Sequence, residues 1–351
     1  METTMLRPLV TAPGPFTSVY FEDSHDTEDA AKQLELKLRD LCEQLRAQHA
    51  PDASVHAIEN AVRKGPRPSG RSGRALLATG DSVVVDERLT EPPAAPLTRV
   101  SDLPYLLPLT RYAEPGLKHV VAMVDQVNAR VTAFDEHGRE IGAEAVNTQD
   151  HPVHRTRGGG WAQYGIREHT EETIRRNVTE IAEEITRLAE CTGAEMILLV
   201  GEIQGRRAVH EALPERLRGI TQEVTHADVV DGLVSATKQR RLEAVLDRFR
   251  TEMGRPDGLA VQGLEAVTAA LVEGNVETLL ISDPGDEMVW TGVVPTQIAV
   301  TKAELSALGA AQAHQRRADE AVPVAAIAVG ADLVGVDSDL TEGFGAILRH
   351  R

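Results

Sequence analysis

Aromatic rings and cysteines are scarce in this sequence. Phe, Tyr and Trp supply 3% of its 351 residues, so the hydrophobic cores must be assembled from Ala, Val, Leu and Ile. Cys42 and Cys191 are the only cysteines. They lie far apart in sequence and form no CxxC pair, which excludes a disulfide framework and a cysteine metal centre and suits a reducing compartment. No apolar run reaches about 18 residues, and the first residues lack a basic stretch followed by an apolar one. Neither a membrane span nor a signal peptide is therefore expected, and the expected location is cytoplasmic. GxxxxGKS/T is absent, so the chain is not expected to be a P-loop GTPase; no GxGxxG follows a strand, so no dinucleotide fingerprint is present and no cofactor is expected. Basic residues are the minority: 37 Lys and Arg stand against 54 Asp and Glu, a net charge of −17. That balance argues against a general nucleic-acid coat, while local basic clusters stay compatible with RNA contact.

Two such clusters are present. The first is His151-Pro-Val-His-Arg-Thr-Arg-Gly-Gly-Gly-Trp-Ala-Gln-Tyr-Gly-Ile-Arg-Glu-His169. Gly158, Gly159 and Gly160 give the backbone a freedom that side-chained residues lack. Arg155 and Arg157 precede them, Arg167 follows, and Trp161 and Tyr164 are interleaved. Arginine on phosphate and rings on bases would suit a loop that threads RNA; an ordinary surface loop joined to a helix start is the competing reading. His151 and His154 near Asp150 resemble metal ligands, but Pro152 interrupts them and no further ligands converge in sequence, so no metal is expected. The second cluster runs from Arg63 to Arg74, where Arg63, Lys64, Arg67, Arg71 and Arg74 occur without an acid among glycines and prolines. It reads as a loop that contacts phosphate or as a solvated tip. Arg175-Arg176 and Lys238 to Arg241 are further candidates for RNA contact, with solvated helix faces as the alternative.

Periodicity supplies the elements. Residues 16–21 form a strand, and Ala31, Leu34, Leu38, Leu41 and Leu45 mark an amphipathic helix over 28–48. A shorter helix lies near 53–62, and strands at 75–79 and 83–85 join through Gly80-Asp81. The proline-rich stretch 91–108 is expected to be irregular and to lead into a boundary near Pro115-Gly116. Strands at 119–124 and 129–134 pair antiparallel, with a third after the turn at 135–138. A helix then runs from the Gly-rich loop to about Glu190, with Ile166, Thr170, Ile174, Val178, Ile181, Ile185 and Leu188 on one face. The apolar run 196–200 is a strand covered on both sides. Helices follow at 208–217 and 229–249. In the last third, a helix ending at Gly274, strands at 276–281 and 289–294, helices at 302–318 and 317–329, and a strand at 332–336 are expected before Gly343 to Leu348 closes the domain. Alternating helices and strands imply α/β layers.

Gly263-Leu-Glu-Ala-Val and the following Ala-Leu-Val-Glu-Gly-Asn-Val-Glu-Thr-Leu-Leu-Ile281 resemble the start of the third domain of archaeal and eukaryotic class I release factors and Pelota. Arg157-Gly-Gly-Gly-Trp-Ala-Gln163, followed by a long charged helix, resembles the bacterial branch, the Balon-like ribosome hibernation factors with their actinobacterial members. The resemblance covers about 116–351 and implies three α/β domains: residues 1–115 toward the decoding centre; 116–250, ribonuclease H-like, with the Gly-rich loop 147–165 toward the peptidyl-transferase centre; and 251–351, similar to kink-turn-binding ribosomal proteins, toward a delivering GTPase. It further implies the A site of the 70S ribosome, elongation factor Tu and a P-site tRNA as partners, and translational dormancy as outcome. Release factors carry Gly-Gly-Gln, whose glutamine orients the hydrolytic water. Here Trp161 and Ala162 separate Gly160 from Gln163, and two residues of extended loop move an amide by several ångströms, about 3.3 Å each. No catalytic residue is therefore expected; peptidyl-tRNA hydrolysis through Gln163 is the alternative, and a small-molecule α/β enzyme, for which no acid/base constellation is visible, is the third possibility.

Overall fold

A computed structural model describes residues 6–24, 29–65, 72–89, 91–112, 117–125, 128–135, 138, 140–147 and 161–351, with the backbone alone at 112, 147, 161–171 and 173. The chain divides into two compact units, 1–115 together with 242–351, and 116–241.

The first third contains α1 (Arg7–Thr11), β1 (Phe16–Glu22), α2 (Ala30–Ala47), α3 (Asp52–Lys64), β2 (Gly73–Thr79), β3 (Ser82–Leu89), β4 (Leu97–Ser101) and α4 (Leu107–Tyr112). Its antiparallel sheet has the order β3-β2-β1-β4. Side chains alternate across a strand. Val19, Phe21, Leu76 and Ala78 meet Leu38, Leu41, Leu45, Val55 and Ile58 of α2 and α3 on one face. Phe16, Tyr20, Ala75 and Leu77 enter a second core on the other. β4 falls in the stretch 91–108 expected to be irregular, and α4 begins at its end. The prolines flank β4, an edge strand, and leave its pairing with β1 free.

The middle unit contains β5 (His119–Val124), β6 (Asn128–Phe134), β7 (Glu140–Asn147), α5 (Trp161–Thr192), β8 (Met196–Gly201), α6 (Ile203–Ala212), α7 (Glu215–Arg218), β9 (Thr221–Val224) and the start of α8 (Val230–Met253). The sheet order is β7-β6-β5-β8-β9, antiparallel from β7 to β5 and parallel from β5 to β9. Three antiparallel strands followed by two parallel ones agree with the ribonuclease H-like layer expected. The helix expected over 208–217 is two helices, because Pro214 cannot continue one and instead opens α7.

The last third adds β10 (Ala260–Gln262), α9 (Leu264–Val272), β11 (Val276–Ile281), β12 (Met288–Thr291), β13 (Ile298–Ala299), α10 (Lys302–Ala307), β14 (His314–Arg317), α11 (Ala318–Ala328), β15 (Asp332–Gly335) and β16 (Phe344–Leu348). Its main sheet is β10-β16-β11-β15; β12, flanked by β13 and β14, forms a smaller one. The helix expected over 302–318 is short. A capping box of Thr301 and Glu304 starts it, Gly309 at φ +74° ends the turn, and 314–317 pair with β12 instead. Phe249 of α8 packs with Leu280, Val336 and Ile347, and Gly345 leaves the room its ring needs, since a Cβ there would lie 2.8 Å from it.

α11 is buried on all sides, and after its first turn it is apolar on every face, as a helix buried all round must be. Its core also takes in Leu6, Leu9, Phe16, Tyr20, Leu106 and Leu109, so the first and last thirds share one hydrophobic cluster. Asp319 and Glu320 open this helix and are buried too. Burial raises the Glu320 pKa, outweighing the Ser101 hydrogen bond and the Arg99 charge that lower it. A raised carboxyl gives stability that is full below the ordinary glutamate value of about 4.3 and is lost as pH climbs through the folded value. Glu320→Gln keeps an acceptor for Ser101 and removes the titration. The melting temperature of the variant minus that of the wild type is therefore expected to increase from pH 4.5 to pH 8, and a flat difference would refute this account.

Candidate RNA-contact surface

The Gly-rich segment lies between β7, which ends at Asn147, and α5, which starts at Trp161. Arg155, Arg157, Gly158, Gly159 and Gly160 lie outside the described residues. Trp161, Gln163, Tyr164 and Arg167 lie in the first two turns of α5, so the helix begins inside the stretch 147–165 expected as loop. No proline follows Gly160 in the helix, and the single Gly165 costs only about 1 kcal/mol there. Gln163 therefore follows Trp161 at a helical rise of about 1.5 Å per residue rather than at extended spacing.

α5 has 32 residues, about 48 Å at that rise. Its second half is fastened to the sheet: Ile181, Ala182, Ile185, Leu188 and Ala189 pack with Val120, Val131, Ile197 and Leu199. Ile174, expected on the same face, is 43% exposed. At Ile174 the apolar stripe is thus left partly uncovered. Arg175 and Arg176 are exposed on this part of the helix, where Arg176 pairs with Glu180 at 3.1 Å. Gly193 at φ +66° closes the far end. On α8, Arg241 reaches Glu195 at 2.9 Å and Arg240 donates to the Thr237 hydroxyl.

Of the second cluster, Arg67 and Arg71 lie outside the described residues. Lys64 ends α3 and is exposed. Arg63 is half-exposed and bridges Glu35 at 2.6 Å and Glu59 at 2.7 Å; its hydrogen bond holds the Glu35 carboxyl below the usual range. Arg74 is buried. Its Nε and Nη2 donate to Asp86 at 2.8 Å each, Nη2 also reaches the Ala61 carbonyl of α3 at 3.0 Å, and Nη1 lies 3.8 Å from buried Asp23. A Cβ at Gly65 would stand 2.4 Å from this guanidinium. One side chain therefore ties the end of α3 to β2 and β3, on both sides of the basic segment. The acids that do this, Asp23 and Asp86, carry no local motif and were not legible as its partners.

Among the described residues, no group of three or more His, Cys, Asp or Glu could hold a metal ion, and no helix is long and apolar enough to cross a membrane.

Residues 118–255 match the family model described as bacterial archaeo-eukaryotic release factor family 2. The uncharacterized protein Rv2629 of Mycobacterium tuberculosis H37Rv is 39% identical over 365 aligned positions, spanning 100% of this chain and 97% of that protein; MT2704 of strain CDC 1551 matches to the same extent. Among solved structures, the archaeal termination factor aRF1 aligns over 98% of this chain and 96% of its own at 16% identity, with a TM-score of 0.23. A model of ribosome-bound archaeal Pelota and ABCE1 aligns over 99% and 93% at 13% identity, with a TM-score of 0.41.

Proposed function

We propose, because the chain belongs to the bacterial archaeo-eukaryotic release factor family, that it is a ribosome-associated translation factor that occupies the A site of the 70S ribosome and silences it. The observation that carries the non-catalytic part of this reading is Gln163, held in the first turn of α5 and three positions after Gly160 in the sequence. A glutamine there does not share the position it takes in Gly-Gly-Gln, and catalytic placement tolerates little displacement. In this reading residues 1–115 face the decoding centre and the middle segment sends its Gly-rich loop toward the peptidyl-transferase centre beside a P-site tRNA. The last third meets elongation factor Tu. Its 17 acidic and 8 basic residues over 242–351 suit a protein partner better than RNA. Arg155, Arg157, Trp161, Gln163, Tyr164 and Arg167 contact RNA with Gly158 to Gly160 threading between, and Arg63, Lys64, Arg67 and Arg71 form a second contact whose base Arg74 holds.

Ribosome co-sedimentation over a salt series, with peptidyl-tRNA release measured on the same samples, tests this. Binding without release, unchanged by Gln163→Ala, is expected. Replacing Arg155, Arg157 and Arg167 together by alanine should lower the slope of log affinity against log salt by about 2 to 3, at 0.7–0.9 per phosphate lost. Release that collapses in Gln163→Ala would replace the silencing reading with a hydrolase, and absence of binding at low salt would overturn both.

A further inference from the structure

Asp319 and Glu320 are 3% and 4% exposed, and burying carboxylates costs far more than it returns unless each is paired. Their partners come from the opposite end of the sequence. Arg99 of β4 donates through Nη1 to Asp319 Oδ2 at 2.9 Å and Glu320 Oε1 at 3.3 Å. The Ser101 hydroxyl donates to Glu320 Oε2 at 2.6 Å. Arg99 is itself fixed, with its guanidinium carbon 3.6 Å from the centroid of the Tyr105 ring. Tyr105 is held from below, its N–H donating to Ser18 Oγ and its carbonyl accepting from the Tyr20 hydroxyl. From the other side, Arg317 donates to Asp319 and Asp286. The backbones also meet: a Cβ on Gly335 of β15 would lie 2.4 Å from the Thr110 carbonyl of α4.

We propose that Arg99, Ser101, Asp319 and Glu320 form a polar clasp that fixes residues 1–115 and 242–351 as one cooperative body, so that the first and last thirds of the chain do not separate as the protein works. The shared apolar cluster supplies the attraction, which is non-directional. The clasp supplies the register, because a slipped docking would leave two carboxylates buried without donors. This concerns the free protein and stands or falls separately from the ribosomal reading.

Hydrogen exchange on the full-length protein tests it, comparing wild type with Arg99→Met and Ser101→Ala. In the wild type, the slowest amides of β1 and β2 and those of α11 and β11 should open together, with one free energy and one denaturant dependence. Arg99→Met should accelerate both sets by the same factor, about tenfold to a hundredfold given that Arg99 is partly exposed. Ser101→Ala, which removes one hydrogen bond and leaves the charges, should accelerate both severalfold. Middle-unit amides, such as those of β5 and β8, should not change. Acceleration confined to the first third while α11 keeps wild-type protection would overturn the proposal, as would no acceleration in either set.

Discussion

Alanine at Gly201 is expected to destabilise the middle unit by about 3–6 kcal/mol. Gly201 ends β8 at φ +140°, backbone that side-chained residues hold only at a cost of about 1–3 kcal/mol. A Cβ there would stand 1.9 Å from the Val124 carbonyl oxygen. Val124 and Gly201 are the last pair of the parallel β5–β8 ladder. Relief requires the two central strands to part, and forced repacking of this kind adds about 1–3 kcal/mol. The whole stability of a domain is only about 5–15 kcal/mol, so the melting temperature of this unit should fall on the order of 10–20 °C. Gly219 is the control. It sits at φ −64° with no heavy atom within 4 Å of an added Cβ, and alanine there should be near neutral. Calorimetry of the two variants decides; equal melting temperatures would sink the steric account. Because β5 and β8 carry the packed half of α5, ribosome binding should disappear with the fold at the lower temperature rather than weaken at constant stability.

Arg74→Ala should destabilise the first third by about 3 kcal/mol. Removing one partner of a buried ion pair costs about 3–5 kcal/mol because the other charge is left without compensation. The lower end applies because the Asp86 side chain is 45% exposed and can regain water, whereas Asp23 at 5% cannot. The Ala61 carbonyl also loses its donor, and the space beside Gly65 empties. Arg74→Lys should recover little, since an ammonium cannot repeat the two parallel bonds to Asp86. A double variant with Asp86→Ala should cost clearly less than the sum of the singles. Thermal denaturation of the wild type, the three single variants and the double variant measures this. A salt slope of ribosome binding that fell in Arg74→Ala with no loss of stability would instead make Arg74 a phosphate contact.

Sequence legibility followed the range of the interactions. Helices α2 and α3, the β2–β3 hairpin and the strand at 196–201 were readable because their patterns are local: leucines at helical spacing, Gly80 at the turn, an unbroken apolar run between two neighbours. β9 and β4 were not, because an edge strand of four or five mixed residues has no periodicity of its own and exists by pairing. His314 to Arg317 extended a helix on paper; only the cross-strand partner Met288–Thr291 makes it a strand. At the candidate site, the glycines and arginines stand out in sequence, whereas the inward commitment of Arg74 depends on acids 51 and 12 residues away. The contact between the first and last thirds is the extreme case, since Arg99 and Glu320 lie 221 residues apart in the sequence.

That separation bears on how the chain is made. β16, the last strand, lies between β10 and β11 rather than at an edge, and Phe344 and Ala346 belong to the same cluster as Phe16 and Tyr20. A chain leaving the ribosome from its N-terminus can complete residues 116–241 while synthesis continues. The body formed by residues 1–115 and 242–351 cannot close until β16 is free. Until then the apolar side of the first sheet waits uncovered, and non-local closure of this kind is slow. Slow synthesis between residues 115 and 344 would lengthen that exposure, so this protein should depend on holding chaperones during its own synthesis more than its size alone would suggest.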